Sequence, residues 1–298
     1  MPVIQFLARL ANRSHISRDP RLSTVRWAVA STNTQVDRRP KTIFVAEVAP
    51  GRHLAEFSVS IPNVPGMLAA ASENLAKHHA NVLSGYHDTV RWSFFADLTD
   101  CDATIEQVQR ELASIGGVSD VVNTDSVNGI IVDSLHFPIM LAGKRAIILR
   151  AETLNSILVR IREMFGEDGA VAKVLLFTMG EAAGQAMFKA TAAQIGAKVR
   201  DELANIINIY SATGFGIFRL SDVDLDRGTA TVIALENFEC ASHTRTRSKP
   251  FSQFVRGHLA GFFSGVFGRR VDAVEAQCVA RGDGCCEFRV EPEAGRKS

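Results

Sequence analysis

The feature that most constrains this chain is a run of alternating and helically spaced apolar residues between Arg52 and Val122. Phe57, Val59 and Ile61 alternate with serines, the period of a strand with one buried face. Asn63-Val64-Pro65-Gly66 breaks the run as a loop. Leu68, Ala71, Leu75 and His78 then recur at the spacing of one helix face. Val82 to Tyr86 reads as a second strand, and Trp92, Phe94, Ala96 and Leu98 alternate as a third. Ile105, Val108, Leu112 and Ile115 mark a second helix, which Gly116-Gly117 ends. Val118 to Val122 completes the order β-α-β-β-α-β. That order predicts a ferredoxin-like domain over 50–125, with two helices on one face of an antiparallel sheet. The architecture hosts many functions and names none.

Bulk properties bound the rest. At 298 residues the chain has room for two domains. A content of 46% hydrophobic and 22% charged residues is that of an ordinary globular protein. The net charge of +1 gives no pull toward nucleic acid or an acidic partner. No apolar run reaches the roughly 18 residues of a membrane span. Positions 1–45 are rich in arginine, with Arg9, Arg13, Arg18, Arg21, Arg26, Arg38 and Arg39 against Asp19 and Asp37. Such a stretch reads as a disordered basic arm, an over-extended start or an organelle-targeting segment. Cys278, Cys285 and Cys286 crowd together, while Cys101 and Cys240 stand apart. That clustering fits a metal site or free thiols in a reducing, cytoplasmic compartment.

The loop at Asn63 resembles the strand-to-helix turn of ACT domains, with Pro65, Gly66 and Leu68 in matching order and Asn63 where that family has an aspartate. The resemblance implies a regulatory domain binding an amino acid at Asn63 and Gly66, where helix N–H groups meet a carboxylate. The residues alone also fit a turn in which Asn63 and Pro65 merely start the helix.

Residues 126–168 read as a connector of two short strands and a helix that ends at Gly166. Beyond it lies an expected ligand-binding domain over 169–292. Helices are expected from Met179 to about Ala193 and from Lys198 to Ile209, and strands near Phe215 and over Thr229–Leu235. Phe251 to Phe267 forms an aromatic helix studded with Gly257, Gly261 and Gly265, and a closing hairpin turns through Gly282 and Gly284.

This second region resembles the 4-vinyl reductase family, also described as a hydrocarbon-binding domain. The resemblance lies in Met179-Gly180 with Gly184, in Asn237-Phe238-Glu239, in Gly257 and Gly261, and in the closing pattern. That pattern runs Glu275-Ala276-Gln277-Cys278, Arg281-Gly282-Asp283, Cys286-Glu287-Phe288. It implies an α+β fold overall, with a mixed α/β domain enclosing an apolar cavity for an aromatic or lipid-like molecule, often in a homodimer. Phe254, His258 and Phe262 on the aromatic helix are the expected lining.

The resemblance also implies zinc. Zinc-binding members use a cysteine, a Glu-x-x-Cys and a further cysteine, matched here by Glu275, Cys278 and Cys286, whereas spacing puts Ser252 at the upstream cysteine position. Cys240, His243 or Cys285 could supply the missing donor of a structural tetrahedral site. Without a metal, these cysteines would be small buried apolar residues.

No Walker A loop, nucleophile elbow or well-placed dinucleotide fingerprint is present. The chain is therefore expected to be a small-molecule sensor read out by a separate protein. The alternative is an enzyme or accessory protein of vinyl or tetrapyrrole reduction, although no redox cofactor motif accompanies it.

Overall fold

The computed structural model describes residues 39–293, apart from Asp168 and Thr244. The basic arm expected over 1–45 lies outside the described residues as far as position 38. The chain divides into two units, with the boundary between Ala146 and Ile147.

The first unit contains β1 (Ala46–Val48), β2 (Leu54–Ser60), α1 (Met67–Lys77), β3 (Asn81–His87), β4 (Arg91–Asp97), α2 (Ile105–Ala113), β5 (Asp120–Asp125) and β6 (Ile130–Val132). From β2 to β5 this is the expected β-α-β-β-α-β order. The four-stranded sheet runs β3-β4-β2-β5, antiparallel throughout, which is the ferredoxin-like arrangement. Its helical face is built by the alternation seen in the sequence. Phe57, Val59, Trp92 and Phe94 meet Ala71 and Leu75 of α1 and Val108 and Leu112 of α2 in one core. Thr104 starts α2 by accepting a hydrogen bond from the Gln107 backbone N–H at 3.3 Å.

The opposite sheet face is covered, not solvated. β1 pairs with β6, and Phe44, Leu54, Phe95 and Ile131 form a second, small apolar cluster. The stretch 126–168, expected as a connector, therefore contributes to both units. Its first part covers this sheet and continues into the hairpin β7 (Met140–Leu141) and β8 (Lys144–Arg145). Its last part is a helix of the second unit.

That unit begins with α3 (Ala151–Phe165) and α4 (Ala170–Ile195). A 3-10 turn (Gly196–Val199), α5 (Leu203–Ile206) and α6 (Ile209–Ala212) lead to β9 (Ile217–Asp224) and β10 (Thr229–Leu235). After α7 (Phe238–Ala241) come α8 (Gln253–Phe267), β11 (Val271–Gln277), a 3-10 turn (Val279–Arg281) and β12 (Cys286–Pro292). The sheet order is β11-β12-β10-β9, again antiparallel.

Two expectations change. The helix expected to open at Met179 starts at Ala170, because its first turns are apolar all round and carry no readable period. The continuous helix expected over Lys198–Ile209 is a 3-10 turn and two one-turn helices. Val199, Leu203 and Ile207 still face the core, so the periodicity survives the breaks.

α4 and α8 cross at backbone distance. A Cβ at Gly180 would strike the Phe254 carbonyl, and one at Gly184 the His258 carbonyl. In return, a Cβ at Gly257 would strike Phe177 O and one at Gly261 Glu181 O. The small-residue stripe of α8 thus has a matching stripe on α4, which lets the helices approach closely.

Helix propensity alone would favour Gly261→Ala by about 1 kcal/mol. Because the new methyl group meets backbone that cannot swing away, Gly261→Ala is expected instead to destabilise the chain by about 1–3 kcal/mol in urea unfolding. A stabilised variant would contradict this packing.

Candidate metal centre and aromatic site

The closing hairpin brings four acidic donors into one buried cluster. Asn237 ends the β10 connection and caps α7, its side chain accepting from the Glu239 N–H at 3.3 Å. That single helical turn carries Cys240 inward. Glu275 lies on the inward-facing register of β11, Cys278 follows the strand, and Cys286 opens β12. The turn between them is fixed by Asp283, which accepts from the Cys278 N–H at 2.8 Å and pairs with Arg281. Gly282 stands at φ 108°, a conformation that favours glycine.

Donor atoms of Cys240, Glu275, Cys278 and Cys286 all lie within 4.8 Å of one another, and all four residues are buried. Cys240 Sγ and Cys278 Sγ are 3.6 Å apart. That is far longer than a disulfide, but close to the roughly 3.8 Å edge of a tetrahedron with metal–sulfur bonds of about 2.3 Å. Of the three candidates for the fourth donor, the structure brings in Cys240. Cys285 points to Gln277 Oε1 at 3.5 Å, and His243 pairs with Ser242 and lies against the Phe251 ring.

Ser252 is not a replacement ligand but a support. Its N–H and hydroxyl donate to the two Glu275 oxygens at 2.9 and 2.7 Å. Asn237 Nδ2 donates to Ser252 Oγ at 2.8 Å and to Cys286 Sγ at 3.6 Å.

The electrostatics favour a cation. Burial, then the charge at Cys278, pushes the Glu275 carboxyl up to about 8. Hydrogen bonds with the thiols of Cys240 and Cys286 hold Cys278 well below the usual thiol range. Hydrogen bonding to Cys278 raises Cys240 in turn. Without a metal, the cluster carries one thiolate among protonated neighbours. A dication would stabilise all four donors in their ionised forms.

Behind the cluster a second buried charge is answered by protein. The Glu239 carboxylate pairs with Arg162 and accepts from the Phe254 and Val255 N–H groups at 3.2 and 2.8 Å. It therefore caps the N-terminus of α8, where the helix dipole favours negative charge. Arg162 also donates to the Phe251 carbonyl at 3.1 Å and lies over the Phe251 ring.

The expected pocket residues Phe254, His258 and Phe262 all point into the core. The apolar cavity expected beside them is filled by side chains. Tyr210 of α6 stacks on Phe218 and packs edge-on to Phe215, His258 and Phe262. Its hydroxyl lies 2.8 Å from His258 Nδ1, and both residues are buried, at 1% and 5% exposure. Burial lowers His258 to about 4 and raises Tyr210, so both are neutral at pH 7. His258 does not interrupt the apolar face toward solvent, because Tyr210 satisfies it.

Asn63 and Gly66 lie at the exposed turn before α1. Gly66 is the N-cap at φ 91°, and a Cβ there would meet nothing within 4 Å. Backbone conformation, not close approach, is what favours glycine here. The ACT-like reading rests on this turn and the topology.

An antiparallel sheet backed by two glycine-packed helices and closed by a cysteine–carboxylate hairpin defines the second unit as a mixed α/β module. Its residues 231–292 match the family model of the 4-vinyl reductase domain, so the stretch from β10 to β12 is identified as part of such a domain. No curated protein matches the chain.

Among solved structures, the phenol-responsive sensory domain of the transcription activator PoxR with phenol is similar at 18% identity and a TM-score of 0.45. That similarity covers 50% of this chain and 78% of that one. A trafficking protein particle complex subunit 3 from Naegleria fowleri, covalently bound to palmitic acid, is similar at 16% identity and a TM-score of 0.37, over 48% and 95% of the two chains. A vinyl-4-reductase family protein from Methanocaldococcus jannaschii is similar at 17% identity and a TM-score of 0.34, over 49% and 83%.

Sequence reasoning missed Tyr210 and the Arg162–Glu239 pair. No motif marks either, since their partners lie on distant elements. Replacing Arg162 with Met leaves Glu239 buried beside no cation. The expected cost is about 3–5 kcal/mol in denaturant unfolding, and the double replacement with Glu239→Gln should recover part of it. An Arg162→Met chain as stable as wild type would remove the pair from the account.

Proposed function

We propose that the second unit is a sensor for an apolar or aromatic small molecule, with its closing hairpin held by a structural zinc ion. The observation that carries the reading is the Tyr210–His258 pair, a hydrogen-bonded phenol and neutral imidazole inside a nest of phenylalanine rings. Such a nest suits an aromatic ring bearing one hydroxyl. In the closed state, Tyr210 itself fills that place.

Tyr210 sits on α6, one turn between two breaks, so its withdrawal does not require moving α4 or α8. A ligand that takes over its contacts shifts the chain toward a state with α6 displaced, by as much as its affinity differs between the states. A separate protein reads that shift. Val171, Val174, Leu175 and Met179 form an exposed apolar stripe along α4, which suits a homodimer contact.

Zinc fits the donor set because three thiols and one carboxylate come from protein and leave no open position. Its role in this reading is to pin α7 and the β11–β12 turn, which together hold the capping Glu239 at the start of α8.

Two outcomes test the proposal. Chain purified without chelator should contain about one zinc per molecule, and Cys240→Ala should abolish this while Cys285→Ala leaves it intact. Zinc retained by Cys240→Ala would exclude the assigned donor. In calorimetric titrations, aromatic alcohols should bind more tightly than hydrocarbons of the same shape. His258→Leu should erase that preference, a change of about tenfold for one buried hydrogen bond. Equal affinities in wild type would remove His258 from recognition.

A further inference from the structure

The covered face of the first sheet holds a carboxylate that the sensor reading does not use. Glu56 lies in the middle of β2, a central strand between β4 and β5, and is fully buried. Its neighbours Ala55 and Phe57 face the helices, so Glu56 points to the other side, where Ser58 and Ser93 also lie. There β6 ends, and the turn that follows delivers Asp133 and His136 onto it.

The arrangement is that of ligands around a missing charge. Glu56 Oε2 accepts from the Ser134 N–H at 3.1 Å. Glu56 Oε1 is buried and accepts no hydrogen bond, although His136 Nδ1 is only 3.2 Å away. Nδ1 carries at most one proton, and Asp133 Oδ1 at 2.8 Å is nearer and better placed. On the other side of the ring, Ser93 Oγ and Ser58 Oγ hold Nε2 at 2.6 and 3.0 Å, which leaves Nδ1 aimed at both carboxylates. Metal-bound histidines are oriented in this way through their second nitrogen.

We propose that Glu56, Asp133 and His136 form a binding site for a divalent transition-metal ion. Glu56 Oε1, Asp133 Oδ1 and His136 Nδ1 can each give one donor atom, all within 4.8 Å of one another. Their spacings to Nδ1, 2.8 and 3.2 Å, bracket the roughly 3.0 Å between adjacent ligands of an octahedral ion with bonds of about 2.1 Å. One imidazole with two carboxylates suits manganese, iron(II) or zinc, whereas calcium and magnesium prefer oxygen alone. His136 remains 22% exposed, so water can complete the coordination from the open side. Burial and the hydrogen bond with Asp133 push Glu56 up to about 7, consistent with two carboxylates that share too little positive charge. This site is independent of the cysteine cluster, which lies in the other unit.

The test uses the full chain with its cysteine site saturated with zinc. Manganese(II) is titrated in, and the free ion is followed by electron paramagnetic resonance. Wild type should take up about one manganese per chain, with magnesium failing to compete at roughly a hundredfold excess. His136→Gln, at a partly exposed turn, should weaken uptake at least tenfold, as should Glu56→Gln, while Cys278→Ser should not change it. Circular dichroism melts confirm that each variant is folded. No manganese uptake by wild type overturns the proposal whatever the variants do. Uptake that is unchanged in folded His136→Gln also overturns it, leaving only adventitious surface binding.

Discussion

The second unit depends on two helices meeting backbone to backbone. Gly180 and Gly184 of α4 and Gly257 and Gly261 of α8 leave no room between them for a single methyl group. That contact fixes the rotation of α8 about its own axis. Once the glycines face α4, Phe254, His258 and Phe262 are left to face the aromatic nest around Tyr210. The start of α8 is set independently, by Glu239 on its first free N–H groups and by Ser252 on Glu275. Helix packing and hairpin closure therefore converge on one short stretch, Phe251 to Val255.

Buried carboxylates recur, and each is answered differently. Glu239 has an arginine and a helix N-terminus. Glu275 has a serine on both oxygens and three thiols around it. Glu56 has one backbone N–H and one oxygen left without a donor. Burying a charge without a partner costs several kcal/mol, so the degree of compensation is informative. Full compensation by protein marks Glu239 as structural. Incomplete compensation at the other two is what a cation would supply.

The sequence exposed what is local and hid what is long-range. The strands and helices of the first unit were legible because one sheet face packs on one pair of helices, which imposes clean periods on Phe57, Val59, Leu75 and Val108. The cover on the other face was not legible, since Phe44 and Ile131 come from separate short segments. In the second unit the cysteine hairpin was readable to three donors. The fourth was left open among three residues because matching by spacing pointed to Ser252, which turned out to hold Glu275 instead. Tyr210 was hidden by its setting. It lies in a broken helical stretch where Leu203 and Ile207 keep a helical spacing although the helix does not continue.

Tyr210, in this account, occupies the place of a ligand. The chain has only two tyrosines, Tyr210 in the nest and Tyr86, which is 61% exposed on β3. Labelled with 3-fluorotyrosine, it should give two fluorine resonances. On titration with small aromatic alcohols the Tyr210 signal should move saturably while the Tyr86 signal stays in place. A Tyr210 resonance that holds its position through saturation of a bound aromatic ligand would contradict the account.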